Sequence, residues 1–212
     1  MQVQAKYKNE GEKMSLQSQK KHMLVMLASP HSDGAAAEML KTFLSPFDDI
    51  ENWKIDTWNV YEKKAQPCVA CGICAKKEAC AFDDLDKLDS LLRKSDLLVV
   101  ASPVYNASFS APFKAVLDRT QRYFEARFSL NIIPPIKRHR KAVLLVSMGS
   151  NEMFGVEVMI HQLKRAFTVM NTELAGTAVW KETDKGDKEK NSALESVKKL
   201  AEKILFEAEN LY

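Results

Sequence analysis

Short apolar runs separated by amphipathic stretches recur along most of the chain. Residues 23–28 (MLVMLA), 96–101 (DLLVVA) and 141–147 (KAVLLVS) are continuous runs, the signature of strands covered on both faces. Residues 50–60 alternate loosely and residues 174–180 form a further run, giving five predicted strands. Helical spacing fills the gaps. Residues 34–44 place Ala35, Met39, Leu40 and Phe43 on one side, and residues 83–94 open with Asp83 and Asp84 at the positive end of a helix dipole. Further helices are predicted over 109–123, 151–170 and 191–211, the last after a charged linker, KETDKGDKEK. Strands alternating with helices predict an α/β fold, a doubly wound five-stranded parallel sheet with helices on both faces. No internal repeat or second domain is visible.

Such a sheet binds ligands beyond the carboxyl ends of its strands, where the winding reverses. For the strand order 2-1-3-4-5 that point lies between strands one and three. Residues 28–36 and 101–110 are therefore the segments to inspect.

Composition narrows the chemistry. The 212 residues are 46% hydrophobic and 28% charged, a globular balance that excludes wholesale disorder. Seven glycines are few, so a nucleotide site here works without a glycine-rich loop. Of the net charge of +3, all resides in residues 1–21, where five lysines face Glu10 and Glu12. The 26 basic and 26 acidic side chains that remain leave the body neutral, which argues against nucleic acid as a partner. Residues 1–21 read as a polar extension, with residues 22–212 the folded domain. No signal peptide or membrane span is expected, and the cytoplasm is the default location.

After the first strand comes ASPHSDGAAAEML, in which Ser29, His31, Ser32, Gly34, Ala35 and Ala36 surround a helix start whose free N–H groups suit an anion. The plain alternative is a strand-to-helix turn capped by Ser32 or Asp33. After the third strand comes ASPVYNASFSAPFKAVLDR. Pro103, Val104 and Tyr105 leave the strand extended, because Ser102 precedes a proline, and Asn106 and Ser108 add hydrogen-bonding groups. A flat heterocycle could lie there, or Tyr105 could pack on the core.

All four cysteines fall within thirteen residues of a loop at 67–81: Cys68-x2-Cys71-x2-Cys74-x5-Cys80. Four clustered thiols suit a 4Fe–4S cluster in a reducing compartment. Zinc is a second possibility, although structural zinc sites split into two distant halves. A lid with free thiols is a third. No catalytic triad, metalloprotease motif or paired carboxylates support hydrolysis. The basic run KRHRK at 137–141 is either a recognition site for a 2′-phosphate or an exposed loop. Tyr123, Phe124 and Phe128 suit a subunit contact or the core, and His161 falls within the apolar pattern of its helix.

The two loops together resemble the flavodoxin-like NAD(P)H-dependent FMN reductase family. Ser29-Pro30 and Gly34 match its first loop; residues 102–105, Ser110, Lys114 and Asp118-Arg119 match its second. The cysteine spacing resembles the iron–sulfur flavoprotein branch of the same group. The resemblance implies that the first loop holds the FMN phosphate, that the second flanks the isoalloxazine ring, and that Met148 and Gly149 lie at a third loop against the ring's polar edge. It also implies hydride transfer from NAD(P)H to FMN and reduction of a small acceptor such as a quinone or free flavin, in a dimer or tetramer. The alternative it implies is an iron–sulfur flavoprotein-like carrier exchanging electrons with ferredoxin. Here His31 replaces the family's arginine and Ala35-Ala36 its Asn-Thr pair. A lost hydroxyl donor to phosphate is worth ~1.5–3 kcal/mol, which lowers FMN affinity about tenfold or more.

Overall fold

The computed structural model describes residues 20–48 and 51–210. Within them run β1 (Lys21–Leu27), α1 (Ala35–Leu44), β2 (Trp53–Asn59), α2 (Asp86–Lys94), β3 (Leu97–Pro103), α3 (Ala111–Asp118), α4 (Gln121–Phe128), β4 (Arg140–Ser147), α5 (Phe154–Val169), β5 (Thr172–Trp180) and α6 (Lys190–Asn210). The strands form one parallel sheet in the order β2-β1-β3-β4-β5, as the sequence predicts. Position 50 of the expected second strand, position 211 of the last helix and nearly all of the polar extension lie outside the described residues. The extension's last residue, Lys21, already pairs with Trp53 as the start of β1.

Apolar side chains of the central strands point alternately to the two faces. Met23, Val25, Val99, Val143 and Leu145 pack under α1 and α6, whereas Leu24, Met26, Leu98, Val100 and Leu144 pack under α2, α3, α4 and α5. At β5, α6 presses so close that a Cβ at Gly176 would collide with Leu200.

The predicted helix 109–123 is two helices. The chain turns at Thr120, whose hydroxyl donates to the Leu117 carbonyl (2.7 Å) and whose backbone N–H donates to the same oxygen (3.1 Å). That local bonding competes with the next helical turn. Aromatic pattern alone did not reveal it. Tyr123 is buried, with its hydroxyl donating to Asp89 (2.6 Å), while Phe124 and Phe128 are exposed and in ring contact with each other. His161 is exposed rather than in the core.

The basic run stands at the amino-terminal edge of the sheet. Arg138 pairs with Asp96 (2.8 Å) and Arg140 opens β4. Arg140 is only 1% exposed; its guanidinium donates to the Leu92 and Met170 carbonyls and to Ser95 Oγ, closing the carboxyl ends of α2 and α5. Burial pulls its pKa down to about 10. This edge is opposite the strand ends expected to bind a ligand, so the 2′-phosphate reading of the run has no geometric support. Arg140→Met leaves these helix-end carbonyls unpaired at ~1–3 kcal/mol each, partly offset by relief of the buried charge. Chemical denaturation should show a loss of about 1–3 kcal/mol; an unchanged midpoint would contradict this role.

Candidate functional site

Two sites emerge, the first at the carboxyl-terminal side of the sheet and the second against the α3–α4 turn. The first is the crevice between β1 and β3. Helix α1 opens on Gly34 in extended backbone with no side-chain cap, and its first internal bond is from the Glu38 N–H to the Gly34 carbonyl. The amides of Ala35, Ala36 and Ala37 precede that bond, so the helix start offers unpaired donors and positive potential. His31 and Ser32 are exposed beside it. Ser29 is buried, and its hydroxyl is engaged within the turn, accepting from the His31 N–H (3.2 Å). Neither Ser32 nor Asp33 caps the helix, contrary to the capping expected of a plain strand-to-helix turn.

Beyond β3, Tyr105 and Ser108 exchange two backbone hydrogen bonds of 2.9 Å. Asn106 and Ala107, between them, both have positive φ (49° and 57°), the geometry of a tight type I′ turn. An alanine there costs ~1–2 kcal/mol. The turn is braced from three sides. The Val104 N–H donates to the Ser147 carbonyl (2.9 Å), Ser108 Oγ pairs with Gln162 of α5, and Gly155 lets α5 approach so closely that a Cβ would lie 2.8 Å from Val104 and 3.1 Å from the Ala107 Cα. Pro103 closes the strand against Ser147. Tyr105 remains 41% exposed, its hydroxyl pKa raised by burial and by the nearby Tyr61. Ser110 Oγ donates to the Ala28 carbonyl (3.2 Å), tying the two loops together.

At the third loop, Met148 is buried in the core; its N–H donates to the Trp180 carbonyl and its carbonyl accepts from the Thr183 N–H, which leaves a ligand only that oxygen's second lone pair. Gly149 lies directly beneath the Asp184 carboxylate. Tyr61, Gly155 and Asp184 were not singled out in the sequence. Each approaches the crevice only through folding, and no local pattern marks them.

The second site is the cysteine loop. Cys68, Cys71, Cys74 and Cys80 are free thiols that line one cavity of about 390 Å³ together with Phe82, Arg119, Arg122 and Glu125. Left-handed Ala70 and Gly72 (φ 51° and 71°) curl the loop into a short 3-10 turn, Ile73–Ala75, packed on α4. Burial pushes the Cys74 thiol pKa up, and Glu125, Cys80 and Cys68 add to the rise. Arginine holds the loop. Arg119, 4% exposed, donates to the Gln66 and Phe82 carbonyls (both 3.0 Å) and pairs with Asp84 (2.9 Å), clasping the two ends together. Arg93 pairs with Glu78 near the tip (2.7 Å).

The donor set tests two metals differently. Zinc with Zn–S bonds near 2.3 Å needs thiolates about 3.8 Å apart. Among the described residues, no three His, Cys, Asp or Glu side chains are grouped to hold one metal ion. A four-iron cube spreads its thiolates wider, and all four cysteines do border one cavity. None of the lining residues comes from the crevice loops; α3, about 12 Å long, separates the two sites.

The profile of the family described as NADPH-dependent FMN reductase matches residues 22–185. The chain belongs to that family. Curated relatives of this FMN reductase family member include an iron-sulfur flavoprotein of Archaeoglobus fulgidus, 34% identical over 99 residues (46% of this chain, 44% of the relative). A second Archaeoglobus fulgidus iron-sulfur flavoprotein is 27% identical over 159 residues (69% and 77%). One from Methanosarcina thermophila is 28% identical over 131 residues (61% and 60%). The matches thus span 44% and 60% of two of these relatives' own lengths. In fold, the chain resembles the NAD(P)H:quinone oxidoreductase of Methanothermobacter marburgensis (TM-score 0.66, 14% identity, 86% of this chain and 94% of that one). It also resembles an FMN-dependent NADH-azoreductase of Bacillus anthracis solved in complex with FMN (0.63, 16%, 87% and 99%).

Two outcomes follow. Gly155→Ala should displace the 105–108 turn and weaken FMN binding at least tenfold in a fluorescence titration, with little change in circular dichroism; unchanged affinity would contradict the bracing. Asp84 gives a pH test. Burial works to raise its carboxyl pKa, but the Arg119 and Gln66 hydrogen bonds outweigh it, and the net shift is downward. Its stabilisation is therefore complete above the unfolded value near 3.9 and is lost as pH falls through the lower folded value. Hydrogen exchange at the Gln66 amide, which donates to Asp84 (2.6 Å), should keep its protection through the ordinary carboxylate range and lose it only as pH falls through the lowered folded value. The same acid profile in Asp84→Asn would contradict the assignment.

Proposed function

We propose that this chain is an FMN-dependent NAD(P)H oxidoreductase of the flavin or quinone reductase type, reducing a small acceptor in the cytoplasm. The observation that carries this is the uncapped start of α1 facing, across the β1–β3 crevice, a rigid turn that presents a half-exposed tyrosine. Bound FMN would supply hydride acceptance and electron storage; the protein supplies binding, orientation and electrostatics. The amides of Gly34, Ala35 and Ala36, with His31, Ser29 and Ser32 around them, would hold the phosphate. Pro103, Val104 and Tyr105 would support one side of the ring, and Asn106 and Ser108 keep the turn in shape. The backbone of Met148 and Gly149 would meet the ring's polar edge. No side chain is assigned acid–base work. Among the described residues no helix is long and apolar enough to cross a membrane. The family resemblance supports a dimer or tetramer, and nothing in the charge distribution supports nucleic acid.

The shared cavity of the four cysteines favours a second reading, that of an iron–sulfur flavoprotein-like carrier exchanging electrons with ferredoxin. Cys68, Cys71, Cys74 and Cys80 would hold a 4Fe–4S cluster, which supplies one-electron chemistry.

Anaerobically purified protein should show flavin absorption or gain it on adding FMN, and should oxidise NAD(P)H with a quinone. Removing ring stacking worth ~0.5–1.5 kcal/mol, Tyr105→Ala should raise the FMN Kd several-fold to about tenfold. Protein that stays colourless and binds no added FMN would overturn the reductase reading. FMN binding without NAD(P)H turnover, together with rapid reduction by ferredoxin, would establish the carrier instead.

A further inference from the structure

The cysteine cavity is lined by two acidic side chains, Asp118 and Glu125, and two basic ones, and it is the buried N–H groups of the basic pair that lack a partner. Arg119 and Arg122 both line it. Arg119 is only 4% exposed, and its terminal nitrogens are committed to the Gln66 and Phe82 carbonyls and to Asp84. Its buried Nε–H has no acceptor in full hydrogen-bond geometry, and the guanidinium lies within reach of the Cys80 thiol. Arg122 repeats the pattern. Its terminal nitrogens lie 3.7 Å from Asp86 and 3.6 Å from Asp89, while its Nε is buried and unpartnered. Leaving a buried charged donor unsatisfied is costly. Two such donors bordering one cavity with four thiols call for an acceptor that the thiols themselves hold.

We infer that Arg119 and Arg122 are positioning residues for a thiolate-held iron–sulfur centre, donating their Nε–H groups to its sulfurs and thereby setting its reduction potential. The inference rests on the cluster reading above. A cube held by four thiolates is anionic, and taking up one electron adds another negative charge. N–H donors and guanidinium charge stabilise the more negative, reduced form, so they raise the potential. The two arginines divide the work. Arg119 also ties the loop's ends through backbone carbonyls, whereas the ion-pair partners of Arg122, Asp86 and Asp89, belong to α2 and not to the loop.

The full chain, reconstituted anaerobically with ferrous iron and sulfide, is the material for the test. Iron and sulfide per chain are measured, and the reduced centre is titrated with dithionite and followed by low-temperature electron paramagnetic resonance. Wild-type protein should take up about four irons. Arg122→Gln should retain them and lose about tenfold in preference for the reduced form, a shift of about 59 mV to lower potential for a one-electron couple. Arg119→Gln should lose iron as well as potential, and Arg119→Lys, which keeps the charge, should recover most of the iron. FMN affinity, set at the far end of α3, should stay unchanged in all three. Wild-type protein that takes up no iron would overturn the cluster reading and this inference together. Iron-loaded Arg122→Gln and Arg119→Lys with wild-type potentials would overturn the inference alone.

Discussion

Parallel strands must be joined by crossovers, and the side of the sheet each crossover takes decides where a ligand can enter. Helix α1 leaves β1 for the face it shares with α6, while α3 leaves the neighbouring β3 for the opposite face. The two carboxyl ends are thereby left uncovered next to each other. Everything proposed for flavin binding hangs on that divergence. It aims the start of α1 and the turn after β3 into the same crevice, and the Ser110–Ala28 hydrogen bond fixes their spacing.

The turn itself is overdetermined. Asn106 and Ala107 hold left-handed backbone that costs energy, and the cost is sustained by Gly155, Gln162 and the Ser147 carbonyl. Rigid support beneath an exposed aromatic ring is what a planar ligand needs, since the protein then loses little freedom on binding. The cysteine loop follows the same logic with charge in place of packing. A loop with little apolar core of its own is kept in place by Arg119 at its base and Arg93 near its tip. Helix α3 joins the two regions, with the crevice at its first residue and the arginine clasp just past its last.

Much of this was legible in the chain. The buried strands read as continuous apolar runs because both faces of a parallel sheet are covered, and alternation with helices marked the sheet as parallel, while its strand order came with the family resemblance. Ser29-Pro30, Gly34 and residues 102–105 marked the crevice because strand ends and helix starts have local signatures. What stayed hidden was set by contacts distant in sequence. The break at Thr120 depends on one hydroxyl bonding backward, Gly155 matters only for what lies across from it, and Arg122 gained meaning only when the cysteine cavity closed around it. Burial of Arg140 within a basic run likewise needed two helix ends to meet it. The partners of the Ser29 and Ser108 hydroxyls within the protein were hidden for the same reason.

The central claim is that the uncapped start of α1 and the 105–108 turn form one flavin site. A crystal structure of the full chain grown with FMN tests it most directly. The account predicts the phosphate within hydrogen-bond distance of the amides of residues 34–36 and the ring against Tyr105. FMN bound elsewhere on the molecule, or a phosphate that avoids the start of α1, would contradict it.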